Sequence, residues 1–137
     1  MRLLPSFFEI NWLAVLVSVI ISFALGALWH SVLFKKAWME DSGTKYNSQN
    51  HGKPLIIFGA SAILHIIMVI TLAMFIGHHT NFLGGALKGL FIGIAWISTS
   101  IGVTYIFAGR TFRLFLIDAG FYIVFFIIAG MIIGGWH

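Results

Sequence analysis

Four apolar runs dominate the pattern along the chain: Asn11–Leu33, Pro54–Ile76, Phe82–Phe107 and Phe112–Trp136. Each holds about 20 or more mostly uncharged residues, and at ~1.5 Å per helical residue each reaches across a ~30 Å hydrocarbon layer. Within lipid a backbone amide finds no water to bond, so such a run must satisfy its own amides and becomes a helix. The pattern predicts an all-α membrane protein, a four-transmembrane-helix bundle forming one domain over residues 1–137. The spans fall at about 11–33, 54–76, 82–107 and 112–136, with residues 34–53 as a loop.

Lys35–Lys53 is the one polar segment of any length. Its first part is expected to prolong the first helix along the interface, with Trp38 anchoring it and Gly43 ending it. Thr44–Lys53 reads as a solvated loop, and Pro54 suits the first turn of the next helix. The first apolar run also ends in a small-residue stretch, Ala24-Leu25-Gly26, that mimics a signal cleavage site. The run is too long for a signal peptide, and it reads as a retained span.

Composition strengthens this picture. Hydrophobic residues make up 60% of the chain and charged ones 9%, and the mean hydropathy is +1.01, which leaves too little polar surface to cover a soluble globule. Cysteine is absent, so disulfides, thiol redox chemistry and thiolate metal sites are excluded. The formal charge of +4 matters through its placement, and nucleic acid is not an expected partner. Lys35, Lys36, Lys45 and Lys53 lie between the first and second spans, and Arg110 and Arg113 between the third and fourth. The other side carries Arg2, with Lys88 just inside the third span. The positive-inside rule puts both basic connections in the cytoplasm and both termini outside. Trp12 and Trp136 then mark the outer boundary and Trp29 and Trp38 the inner one, while Trp96 is expected to fill volume within the bundle.

Small residues recur at four-residue spacing. Ala14, Ser18, Ser22 and Gly26 lead down the first span to His30; Gly85, Gly89 and Gly93 line the third; Gly130 and Gly134 do so in the fourth. Such spacing lets helix backbones approach closely. It serves packing within one chain or association with a second copy.

Polar side chains within the spans are the candidate functional residues, because each is expensive to insert. His30 lies near the inner end of the first span, and Asp118, the one acid in a span, about one turn into the fourth at similar depth. Tyr122 follows Asp118 by four residues, on the same face. His65 lies near the middle of the second span and Lys88 nearer the outer side of the third. One reading makes these five a partial proton path, since histidine and a desolvated carboxyl both titrate within reach of neutrality. The other has Asp118 paired with His30 or Arg113 to fix register, Lys88 snorkelling outward, and His65 bonded to a hydroxyl such as those of Ser98-Thr99-Ser100. No second intramembrane acid completes a relay.

No cofactor or metal is expected. His30 and His65 differ in depth by roughly a dozen ångströms at ~1.5 Å per residue, too far for one haem iron. His78, His79 and His137 all fall on the outer side, where zinc or copper would find imidazoles but adjacent turn histidines are usually just solvated. No nucleophile triad, paired carboxylates or phosphate loop is present, so no catalytic residue is assigned and the chain does not read as an enzyme.

Asn11-Trp12-Leu13-Ala14, Gly26-Ala27-Leu28-Trp29 and Phe34-Lys35-Lys36-Ala37-Trp38-Met39 resemble the start of the bacterial membrane family called domain of unknown function 1761. Lys88-Gly89 with Gly93, Leu116-Ile117-Asp118-Ala119-Gly120-Phe121, and Gly130 through Gly134 to Trp136 resemble its second half. The family often has Tyr where this chain has His30 and Phe121, which favours Asp118 over His30 as the shared functional residue. The resemblance implies a small four-span protein of the bacterial inner membrane and brings no established activity. The leading functional expectation is a scaffold or accessory subunit, self-associating or docked on a larger membrane complex. The alternatives are an oligomeric proton or ion conductor using Asp118, His30 and His65, and a membrane enzyme or lipid-binding protein using His30 and Asp118.

Overall fold

The computed structural model describes residues 9–43, 54–77 and 79–136. Five helices account for nearly all of them: α1 Trp12–Leu33, α2 Lys35–Ser42, α3 Pro54–Ile76, α4 Phe82–Ala108 and α5 Phe112–Gly135. No strand occurs among the described residues. α1, α3, α4 and α5 are each long and apolar enough to cross a membrane, the mark of a multi-pass membrane protein, and their ends fall within one residue of those expected from the sequence. Lys45 and Lys53, with residues 44–53 of the expected loop, lie outside the described residues, as do Arg2, His78 and His137.

Short polar residues start the helices and glycines stop them. Asn11 Oδ1 accepts from the amides of Leu13 and Ala14 at 3.1 and 3.2 Å, Asn81 Oδ1 from Gly84 at 2.7 Å, and Thr111 Oγ1 from Leu114 at 3.1 Å. These bonds satisfy amides that a helix leaves without partners at its first turn. Gly43, Gly77 and Gly109 follow α2, α3 and α4 with φ of +74°, +74° and +69°, a left-handed turn that favours glycine. Two helices also carry a widened π turn, Trp29–Leu33 closing α1 and Gly93–Ser98 within α4.

α4 and α5 form the closest seam. A methyl group on Gly85 would overlap the Gly130 carbonyl, and one on Gly89 would overlap the carbonyl of Phe126. Gly130 meets the Gly85 carbonyl in the same way and Gly134 that of Asn81, and a methyl at Gly93 would lie 3.0 Å from Ile123 Cα. The glycine ladders therefore pack helix on helix inside one chain, at a separation only glycine permits. On α1, Ala14, Ser18 and Ser22 are buried with Val15 and Val19, while Gly26 faces the ring of Phe121. The core adds Val69, Leu72, Ala73 and Ile76 of α3 to Ile92 of α4 and Phe125, Phe126, Ala129 and Ile133 of α5.

This core occupies the half of the bundle remote from α2. In the other half, residues 54–60 of α3 are all exposed, and Thr99–Ala108 of α4 contains no buried residue. The bundle is tight at one end and spread at the other. Trp96 does not fill bundle volume as expected: 54% exposed, it lies on the outer surface against Phe75, because its place on the helix turns it to the lipid side.

α2 is strapped to the spread end. Arg113 donates to both carboxylate oxygens of Asp41, from Nε at 2.6 Å and Nη2 at 2.7 Å, and from Nη2 to Glu40 at 3.2 Å. Arg110 donates to the Ser42 carbonyl at 3.2 Å. The hydrogen bond from Arg113 holds the Asp41 carboxyl below its ordinary 3.8. A carboxyl so lowered adds its stabilisation in full above that ordinary value and loses it as pH falls through the folded pKa.

Gly89→Ala is expected to destabilise the detergent-solubilised protein by about 1–3 kcal/mol, read as a lowered unfolding midpoint. Gly59→Ala, with nothing within 4 Å of the new methyl, leaves that midpoint unchanged. Hydrogen exchange, corrected for intrinsic rate, is expected to show α2 amides protected at neutral pH. Their protection is lost on acidification below 3.8, and Arg113→Gln removes it at every pH.

Candidate functional site

Hydroxyls in the spans are mostly spent on their own helices. Ser22 Oγ donates to the Val19 carbonyl at 2.6 Å and Thr71 Oγ1 to that of Ile67 at 2.8 Å. Ser98, Thr99 and Ser100 donate to the carbonyls of Gly93, Ala95 and Trp96 at 2.6, 2.7 and 2.5 Å. Lipid offers these groups no water, so a carbonyl on the preceding turn is their nearest acceptor. The Ser98-Thr99-Ser100 run is consequently not the partner of His65. His65 Nδ1 lies 2.7 Å from the Ser61 carbonyl on its own helix, and its Nε2 is buried with no hydrogen-bond partner, as is Ser18 Oγ.

Asp118 is different. It is the one acid within the four spans, and three other helices bring donors to it. His30 Nε2 of α1 lies 3.2 Å from Oδ1, Trp38 Nε1 of α2 donates to the same oxygen at 3.1 Å, and the Tyr105 hydroxyl of α4 donates to Oδ2. Arg113, the other partner considered for Asp118, is taken by Asp41 and Glu40. Beside the cluster, Trp29 Nε1 donates to the Ile117 carbonyl at 2.8 Å. The π turn at Trp29–Leu33, where the Phe34 amide reaches the Trp29 carbonyl at 3.0 Å, lets adjacent residues Trp29 and His30 both address α5.

The two nitrogens of His30 both face oxygens, Nδ1 lying 3.1 Å from the Gly26 carbonyl. A carbonyl only accepts, so both contacts are hydrogen bonds at once only when Nδ1 and Nε2 each carry hydrogen. His30 and Asp118 then together hold one more proton than a neutral imidazole and an ionised carboxylate.

Asp118 and His30 keep 15% and 25% of their side chains exposed, because they border a cavity of about 650 Å³. α1 contributes Ser22, Gly26 and His30 to its wall, α3 Phe58, Ser61 and His65, α4 Ile101 and Tyr105, and α5 Asp118, Phe121 and Tyr122, with Trp38 at the α2 end. The outward lean of α3 makes the space, and at its rim Ile57 and Phe58 are 45% and 61% exposed. Rings continue through it: His30 against Phe121 at 5.2 Å, Phe121 stacked on Phe125 at 6.3 Å, and Phe125 edge-on to His65 at 5.8 Å. Beyond Phe125 the packed core closes the bundle.

Of the five intramembrane candidates, His30, His65, Asp118 and Tyr122 line this one cavity, and Lys88 does not. Lys88 Nζ instead donates to the Ile76 carbonyl at 3.2 Å and to Thr80 Oγ1 at 3.0 Å, across the α3–α4 turn. It caps the end of α3 there, where the dipole favours a cation. His30 and His65 face the same space with two phenyl rings between them. Trp38, expected to anchor α2 at the interface, also donates to Asp118. Tyr105 went unnoticed in the sequence; its signal is a phenol one turn before Gly109, at the depth of an acid across the same short turn.

The arrangement offers hydrogen-bond acceptors, aromatic faces and a carboxyl group in a partly open amphipathic space. Among the described residues no group of three metal-ligating side chains forms. Curated proteins provide no match to the chain. Solved structures provide none either. The chain matches the family described as "Protein of unknown function (DUF1761)" over residues 13–134, and it belongs to that family.

Proposed function

We propose that this is a ligand-binding membrane protein that takes a small amphipathic molecule into the space between its spans. The cavity around Asp118 carries this reading. Its volume is within the range of small-molecule sites, and it pairs an apolar aromatic wall with a few convergent polar groups. The scaffold reading drew on small-residue seams, and the α4–α5 contacts use those seams within one chain. A conductor needs a polar route through the membrane, and past His65 the route meets Phe125, Val69 and Leu72. Binding rather than covalent chemistry is the proposed activity.

Orientation follows from charge. Lys35, Lys36, Arg110 and Arg113 gather at the α2 end, which the positive-inside rule assigns to the cytoplasm. The cavity then opens on the cytoplasmic half of the membrane, both termini face outward, and the inner membrane of a bacterium is the proposed location.

Native mass spectrometry of protein extracted from its membrane tests this. Wild type is expected to retain a small bound molecule released on unfolding. Gly26→Leu, which projects into the cavity toward Phe121, is expected to lose it, while Gly59→Leu on the outer face of α3 retains it. Equal adducts on both variants contradict the proposal.

A further inference from the structure

We infer that the cavity takes an organic cation with a hydrophobic body, and that binding it releases the proton His30 and Asp118 share. This deepens the ligand-binding reading and rests on it.

The first argument is charge. Among the described residues no Lys or Arg lines the cavity, while Asp118 does. Three basic side chains outside it are bonded elsewhere: Lys88 to Ile76 and Thr80, Arg113 to Asp41 and Glu40, and Arg110 to Ser42. An anion entering here meets a carboxylate and no cationic side chain beyond the His30 proton.

The second argument is hydrogen-bonding capacity. Ser22 has spent its hydrogen on Val19, leaving lone pairs. His65 Nδ1 donates to the Ser61 carbonyl, so Nε2 is an acceptor, and it has no partner. Both offer acceptors to a ligand. The third is its rings: Phe23, Trp38, Phe58, Tyr105, Phe121 and Tyr122 all border it, and the negative face of an aromatic ring attracts a cation, the more so when desolvated.

Proton accounting follows. The resting pair is neutral overall, one proton lying between His30 Nε2 and Asp118 Oδ1. Adding a cation while keeping that proton leaves net positive charge in a low-dielectric space, which is expensive. The proton therefore departs from Nε2 to water, His30 becomes neutral imidazole with Nδ1–H still on Gly26, and the cation takes over charge balance with the carboxylate. The other groups facing Asp118 do not compete for this role. α2 presents Trp38, which does not titrate, and turns Glu40 and Asp41 to Arg113. α4 and α5 present the phenols of Tyr105 and Tyr122, which ordinarily titrate near pH 10. α3 presents His65, whose ring is separated from His30 by Phe121 and Phe125.

Calorimetry on the purified protein with tetraphenylphosphonium, tetraphenylborate and neutral triphenylphosphine oxide decides the matter. Tetraphenylphosphonium is expected to bind, and to bind more tightly as pH rises, because a proton leaves on binding. Repetition in two buffers of different ionisation heat is expected to show about one proton released per cation bound. Tetraphenylborate is not bound, and Asp118→Asn loses the cation while keeping its helical circular dichroism. Binding without proton release, or the neutral compound binding as tightly as the cation, overturns the inference and leaves the ligand-binding reading standing. Binding by none of the three overturns both. The proton count comes from wild type alone, so it holds even if the variant misfolds.

Discussion

A carboxylate inside a lipid-embedded bundle has to be met by donors, and the rest of this structure is arranged around meeting Asp118. Desolvating such a group costs several kcal/mol. Its surroundings must therefore bring hydrogen-bond donors to it from elsewhere in the chain. His30, Trp38 and Tyr105 come from three different helices, so one side chain on α5 fixes α1, α2 and α4 at the same point. Trp29 adds a fourth tie through the Ile117 carbonyl.

The two ends of the bundle are consequently held by different physics. At one end glycine against glycine brings α4 and α5 into backbone contact, and buried Val, Leu, Ile and Phe fill what remains. At the other, long polar side chains reach across a wider gap. Ties of that length keep helices together without bringing them into contact, and α3, which supplies none to Asp118, stands away. The hollow is the geometric result. Its aromatic and acceptor-rich lining follows from which residues are left facing it once each helix has satisfied its own hydroxyls.

Much of the architecture is legible in the sequence because lipid leaves the backbone few choices. The span limits, the interfacial helix ended by Gly43, and the capping turns follow from apolar length and turn chemistry. The approach of His30 to Asp118 is legible too, since both lie at one depth. What depth does not give is the face of a helix. Trp96 reads as bundle-filling yet faces outward, and depth alone leaves Lys88 open between a path and an outward reach, where it in fact caps α3. Trp38 reads as an interfacial residue and not as an Asp118 donor, because its direction depends on the π turn after Leu28 and the break at Phe34, neither of which has a clear sequence signature. The cavity itself is a property of how α3 leans, and apolar periodicity is silent on lean.

The central claim is a bundle open from the α2 end down to His65 and sealed beyond it. The chain has no cysteine, so single thiols placed at Ser61 and at Val69 can be compared without background. With the protein in lipid and a membrane-impermeant thiol reagent on the α2 side, Ser61→Cys should be modified and Val69→Cys should stay inert. Equal inertness at both positions would mean that no such space exists, and equal reactivity that the packed floor does not.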